Sequence, residues 1–406
     1  MAGVNSERVV IAGAGLAGVQ TAAQLREAGW DGEIDLLGAE PHRPYDRPPL
    51  SKGLLDGTAA QAWLDTDLDA LGVRLRTGVT ATGLRTADRL LDTDAGPVGY
   101  RHLVLATGAL ARRLPGTDGA PGTHVLRTLD DARALRAELV PGARLVVVGA
   151  GWIGAEVTTA ARAAGCEVTV LEAADGPLPG ALPPEAAAPM RHWYAEAGAR
   201  LVTGAAVAAV REGVVELADG RAEPADAVLV GVGSRPATDW LAGTGVALAP
   251  DGSVLADDRL RTAAPEVWAV GDCASFPSAR YRRRLLVQHW DNALRAPATV
   301  AAGIVGRAGD VPPYDPVPYF WSDQFGRTVQ CVGLPDPADS LVRRGDPAAG
   351  GGWTMCWAGP DGALTAVLAV DRPRDLSQGR RLVERGTPVE LDRAADPSVP
   401  LKNAAR

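Results

Sequence analysis

Two glycine motifs of one form, Gly13-Ala14-Gly15-Leu16-Ala17-Gly18 and Gly149-Ala150-Gly151-Trp152-Ile153-Gly154, stand 136 positions apart. Each follows a short β-branched run and opens a helical one. Arg8 to Ala12 reads as a buried strand, Leu16 to Ala28 as a helix closed by Gly29, and Glu33 to Leu37 as a second strand. The order returns with Leu145 to Val148, Trp152 to Ala164 closed by Gly165, and Glu167 to Leu171. Such a unit lays two strands in parallel with the helix crossing between them. Further runs ending in glycine, His102 to Gly108, Ala227 to Gly233 and Val267 to Gly271, read as additional strands. The predicted fold class is α/β, with two Rossmann-like dinucleotide-binding domains.

The spacing of the glycines carries a chemistry. The first (Gly13, Gly149) permits the tight turn out of the strand. The second (Gly15, Gly151) lets backbone approach a pyrophosphate. The third (Gly18, Gly154) lets the helix pack close to the sheet. The helix start then offers free N–H groups and the positive end of its dipole to phosphate. Glu40 and Glu172 are expected at the ends of the second strands, where a carboxylate accepts hydrogen bonds from ribose hydroxyls. Glu172 would repel a 2′-phosphate, and Ala173-Ala174-Asp175 bring no arginine, so NADH is favoured over NADPH. Two fingerprints imply two dinucleotides. A nicotinamide delivers two electrons as hydride, and a flavin accepts the pair and releases electrons singly. Glu156, in the helix that follows the second motif, reads either as a nicotinamide-site residue or as an ordinary glutamate favoured by the helix dipole.

Composition removes other classes. The net charge of −8 argues against a general nucleic-acid binder. Cys166, Cys273, Cys331 and Cys356 are scattered, with no C-x-x-C pair, and the five histidines are equally dispersed. No metal site is expected. The chain carries neither a signal-peptide pattern nor an apolar run of about 18 residues, and a cytoplasmic location is expected. The last 85 or so residues look different, with Tyr319-Phe320-Trp321, Trp353, Trp357 and an alternating run from Leu364 to Val370; antiparallel strands with a few helices are predicted there.

At the longer motifs the sequence resembles the FAD-dependent, NADH-linked ferredoxin reductases of the putidaredoxin reductase type, which serve cytochromes P450 and ring-hydroxylating oxygenases. The carriers of the resemblance are PYDRPPLSKGLL (Pro44 to Leu55), LVLATGA (Leu103 to Ala109), LRTLDDA (Leu126 to Ala132), VVVGAGWIGAEV (Val146 to Val157), GVGSRPATDWL (Gly231 to Leu241), VWAVGDCA (Val267 to Ala274), VQHWDNAL (Val287 to Leu294) and PYFWSDQFGRTVQ (Pro318 to Gln330). The match runs nearly end to end.

The resemblance implies a glutathione-reductase-like arrangement, with the NAD domain inserted into the FAD domain. FAD parts are expected at 1–112 and 246–320, the NAD domain at 113–245, and an α+β C-terminal domain at 321–406. It implies that Asp272 binds the flavin's ribityl chain and that Arg47 and Lys52 lie along the flavin. Ala14, Ala106, Thr107, Gly108, Arg127 and Trp290 would also contact FAD, and Ile153 and Gly233 would line the NAD site. Lys52, one of two lysines in the chain, would sit near flavin N5 and pair with Glu156. Trp321 would mark the flavin edge where electrons leave, or be an aromatic core residue. Gln288 stands where relatives often carry an acid.

The implied partner is a small acidic ferredoxin. Six arginines (Arg280, Arg282, Arg283, Arg284, Arg295, Arg307) face one acid, Asp291, between positions 280 and 307. That stretch reads as a docking patch near Trp321 or as a solvated loop. Alternatives to a ferredoxin reductase are a reductase for rubredoxin or another acceptor, and a redox sensor of the apoptosis-inducing-factor kind.

Overall fold

The structure is a computed structural model and describes residues 7–406 apart from residues 116, 118 and 119. The chain forms two compact units. One holds the residues up to Asp46, then Ala62–Leu110 and Ser234–Pro316; the other holds Arg47–Gln61, Ala111–Gly233 and Val317–Arg406.

The first unit is built on a five-stranded parallel sheet in the order Val267–Ala269, His102–Leu105, Arg8–Ala12, Glu33–Gly38, Val73–Thr77. The inner strands are buried nearly throughout, which is why RVVIA and HLVL read as continuous apolar runs rather than alternating ones. Helices Leu16–Glu27 and Trp290–Ile304 pack against each other. A three-stranded antiparallel meander (Ala81–Arg85, Leu90–Thr93, Val98–Gly99) contributes Leu84, Leu91 and Val98 to a core with Val10, Leu103 and Leu105.

The second unit repeats this plan. Its parallel sheet runs Arg200–Val202, Glu167–Leu171, Arg144–Val148, Ala227–Val230, Thr123–His124. A second meander (Val207–Arg211, Val214–Leu217, Ala222–Pro224) joins Val210, Val215 and Leu217 to Val146 and Val228. Neither meander was foreseen. Their strands are two to five residues long with glycine or charge inside, too short for a clear period-two signal.

The same unit carries a five-stranded antiparallel sheet in the order Tyr319–Gln324, Arg327–Gly333, Leu364–Val370, Trp353–Ala358, Ser340–Arg344. Trp353–Ala358 is buried at all six positions because both faces are covered. One face packs Val367 and Cys356 against Leu376, Leu382 and Val383 of helix Pro373–Arg385; the other packs Leu368, Met355 and Trp357 against Met190 and Trp193. The predicted α/β class, with a mainly antiparallel C-terminal region, is what the chain adopts.

Candidate functional site: two nucleotide cradles and a buried carboxylate

Gly13 has φ +119, a conformation that L side chains rarely adopt, and a Cβ there would stand 2.1 Å from the Ala106 carbonyl oxygen. A Cβ on Gly18 would stand 1.9 Å from the Gly13 oxygen. Gly15 is different: its φ is −78 and nothing lies within 4 Å of its Cβ direction. Two glycines are thus required by packing, and the third keeps open space at the start of a 12-residue helix that has no side-chain cap. That is a cradle for phosphate.

Around this cradle the first unit collects much of the predicted FAD set. Ala106 and Thr107 lie against Gly13. Thr107 Oγ1 is buried with no hydrogen-bond partner among the described residues, a polar atom left for a ligand. The Cys273 thiol beside it donates to the carbonyls of Leu105 and Val270. Asp272 follows strand Val267–Ala269 in a tight turn whose Gly271 (φ +73) abuts Ala17 of the glycine-loop helix. Gln288 Nε2 donates to the Asp272 carbonyl at 3.2 Å, and its Oε1 accepts from Ser234 Oγ at 2.8 Å. A glutamate has no N–H for the first of these bonds, which gives the amide a physical reason. Trp290 Nε1 donates to Asp46 Oδ1 at 2.7 Å.

The second cradle copies the first. Gly149 has φ +103, and a Cβ on it would lie 2.5 Å from the Gly231 oxygen; one on Gly154 would lie 2.1 Å from the Gly149 oxygen. Gly151 again has nothing within 4 Å, and its backbone (φ −77, ψ −172) matches that of Gly15 (φ −78, ψ −173). Ile153, on the first turn, is exposed, and Gly233 (φ +98) accepts from Arg112 N–H at 2.9 Å.

The two acids are not equivalent. Gly13 N–H donates to the Leu37 carbonyl and Gly149 N–H to the Leu171 carbonyl, so Glu172 matches Gly38, while Glu40 lies two residues past its strand. Glu172 is buried, and its oxygens accept the N–H groups of Ala150 (2.8 Å) and Ala174 (2.9 Å). It therefore shapes the glycine turn. Glu40 accepts from Tyr45 Oη at 2.5 Å. Sequence reading found no arginine beside Glu172, yet Arg191 reaches the Asp175 carbonyl at 2.7 Å and Thr203 Oγ1 at 2.9 Å.

Segment Arg47–Gln61 belongs to the second unit, so Arg47, Lys52 and Arg127 fall there rather than with the first cradle. Arg47 donates to the Arg127 carbonyl at 2.5 Å. Lys52 Nζ lies 2.8 Å from Glu156 Oε1, as the resemblance implied. Glu156 is buried and takes two further donors that sequence reading missed: Ser322 Oγ at 2.6 Å to Oε1, and Ser51 Oγ to Oε2. Both oxygens accept, as an ionised carboxylate does. Trp321, next to Ser322, stacks on Tyr319 with ring centroids 6.1 Å apart. Serines have no linear signature that ties them to a glutamate more than 100 positions away.

The four cysteines are buried and free. Burial pushes the Cys331 and Cys356 thiols up to about 12 and also raises Cys166 and Cys273. Neither a low-pKa thiol nor a vicinal pair is available for disulfide exchange. Among the described residues there is no cluster of metal-ligating side chains and no helix long and apolar enough to cross a membrane.

Two phosphate cradles, an orphaned hydroxyl at the first and a lysine–carboxylate pair at the second define the class: an oxidoreductase with FAD as its prosthetic group and NAD(H) as its nucleotide partner. The chain belongs to the pyridine nucleotide-disulphide oxidoreductase family, whose model matches residues 7–296, and residues 319–405 match the reductase C-terminal family. It is 37% identical to the ferredoxin–NAD(+) reductase component of the anthranilate 1,2-dioxygenase system of Burkholderia cepacia, covering 98% of this chain and 99% of that one. It is 35% identical to putidaredoxin reductase of Pseudomonas putida, over 98% and 96% of the two chains. The crystal structure of the covalent putidaredoxin reductase–putidaredoxin complex superposes with a TM-score of 0.92 at 34% identity, covering 99% of this chain and 98% of that one.

Proposed function

We propose that this chain is a ferredoxin–NAD(+) reductase, passing electrons from NADH through FAD to an iron–sulfur ferredoxin that supplies a cytochrome P450 or another oxygenase. The observation that carries this reading is the pairing of two nucleotide cradles with four buried, unreactive thiols. When bound, FAD supplies the conversion of a two-electron hydride donor to single-electron delivery. The names of the relatives, putidaredoxin reductase and the ferredoxin–NAD(+) reductase component of a dioxygenase system, support a ferredoxin as the acceptor.

Each residue has a physical task in this reading. Gly13, Ala14, Gly15 and Gly18 admit the FAD pyrophosphate, and Glu40, Ala106, Thr107, Gly108, Asp272 and Trp290 hold the rest of it, with Arg47, Lys52 and Arg127 along the flavin. Gly149, Gly151, Ile153, Gly154, Glu172 and Gly233 receive NADH. Lys52 and Glu156 orient the nicotinamide, and Trp321 lines the exit. The domain limits proposed with these tasks are 1–112 and 246–320 for FAD, 113–245 for NAD and 321–406 for the C-terminal domain, with Arg127 assigned to FAD although it lies in the NAD range.

Within the proposed docking patch, Arg284 donates to the carbonyls of Ala256 and Ser275, Arg295 pairs with Asp291, and Arg307 pairs with Asp310. Arg282 and Arg283, exposed where hairpin strands Ala274–Ser278 and Arg283–Leu286 join, are the positions offered to an acidic ferredoxin. A cytoplasmic location suits that partner. The test is NADH-driven reduction of a purified acidic [2Fe–2S] ferredoxin, followed by its absorbance. Reduction that weakens steeply with salt supports the proposal; turnover with ferricyanide but with no iron–sulfur protein opposes it.

A further inference from the structure

The buried carboxylate is held where three separate stretches of chain meet, its donors coming from two of them. Lys52 and Ser51 come from the segment before position 61, Glu156 from the helix after the second glycine turn, and Ser322 from strand Tyr319–Gln324. Ser322 is buried at 1% exposure, and Gln324, equally buried, lies behind it with Nε2 3.5 Å from the Ser322 hydroxyl. The hydroxyl therefore has a fixed donor role toward Glu156 Oε1, the same oxygen that Lys52 approaches. A carboxylate with one donor swings about its last torsion; one with three donors does not.

We propose that Ser322 is a positioning residue for the nicotinamide site: its hydroxyl fixes Glu156 against Lys52, so the C-terminal region completes a site otherwise built from the glycine-loop unit. The proposal rests on the reading of Glu156 as a nicotinamide-site residue. It also places the strand that carries Trp321 in direct hydrogen-bond contact with that site. The hairpin has a second tie to the same helix, Phe325 N–H to Thr159 Oγ1 at 2.9 Å, which does not touch Glu156. That bond separates positioning from simple docking of the hairpin.

The test is anaerobic single-turnover mixing of the FAD-loaded protein with a range of NADH concentrations. S322A is expected to slow the limiting flavin reduction about tenfold, with bound flavin and melting midpoint close to the parent's. S322T, which keeps the hydroxyl, restores most of the rate, and T159V stays within about twofold. S322A combined with E156Q loses no more than E156Q alone, since Ser322 acts only through the Glu156 carboxylate. A parent-like rate in E156Q overturns the reading of Glu156, and the proposal with it. A slow E156Q together with a parent-like S322A, with multiplied losses in the double variant, or with a T159V as slow as S322A overturns the positioning role alone.

Discussion

Lys52 Nζ and Glu156 Oε1 stand 2.8 Å apart although 104 positions separate them in the chain. Lys52 is partly exposed and Glu156 almost fully buried, so the pair presents a cation at the edge of a site and hides its counter-charge. K52M leaves the carboxylate with two hydroxyl donors and no opposite charge. It is expected to cost about 1–3 kcal/mol of stability and to slow flavin reduction by NADH roughly a hundredfold. Chemical melting and stopped-flow absorbance check the two numbers separately.

The two kinds of glycine in a cradle make opposite expectations. Gly154→Ala sets a methyl 2.1 Å from the Gly149 oxygen, so the turn or helix must shift, and a loss of about 1–3 kcal/mol is expected in a urea titration. Gly151→Ala has open space and a φ of −77 that any residue adopts. It is expected to melt like the parent while its KM for NADH rises at least tenfold, because the methyl occupies the phosphate's place.

Glu172 holds the N–H groups of Ala150 and Ala174, and in the proposed reading its carboxylate repels a 2′-phosphate. E172A is expected to raise the KM for NADH about tenfold and to shrink the NADH-over-NADPH ratio of kcat/KM by a similar factor. Parallel steady-state measurements with both nucleotides check it. An unchanged ratio would show that selectivity lies elsewhere.

In the C-terminal region Arg344, 3% exposed, pairs with buried Asp375 at 2.9 Å and donates to the carbonyls of Ala394 and Val399. It fastens the tail to the sheet. R344M leaves Asp375 buried without its cation, and about 3–5 kcal/mol of stability is expected to be lost. The urea midpoint reads this directly.

His102 is buried between the rings of Trp30 and Trp268, and burial lowers its pKa, with Glu266 at 2.6 Å opposing. The folded protein keeps the imidazole neutral while the unfolded chain takes up a proton near pH 6.5. The contribution is therefore complete above about pH 6.5 and falls away as the pH drops below it. H102Q is expected to flatten the decline of the melting midpoint between about pH 7 and pH 5; an unaltered decline would assign it to other groups.

How much of this was legible in the sequence varied with the physics. Strand Glu167–Leu171 and strand Leu364–Val370 have the limits that their residues suggest, because valine- and leucine-rich runs bounded by turns leave little choice. The glycine turns were legible because only glycine tolerates φ near +119 or +103 with a carbonyl against its Cα. The three-donor grip on Glu156 was not, since Ser51 and Ser322 meet it only through tertiary packing. In the arginine stretch, linear charge does not reveal that Arg284 donates to backbone carbonyls. Arg191 shows the reverse, a cation brought beside Asp175 from 16 positions away.

The most direct test is an anaerobic stopped-flow mix of the yellow holoprotein with NADH and, separately, with NADPH, watching flavin absorbance. Rapid bleaching with NADH and little with NADPH is expected. Bleaching that takes many seconds with both, or protein that retains no flavin, would contradict the assignment of this chain as a working NADH-dependent reductase.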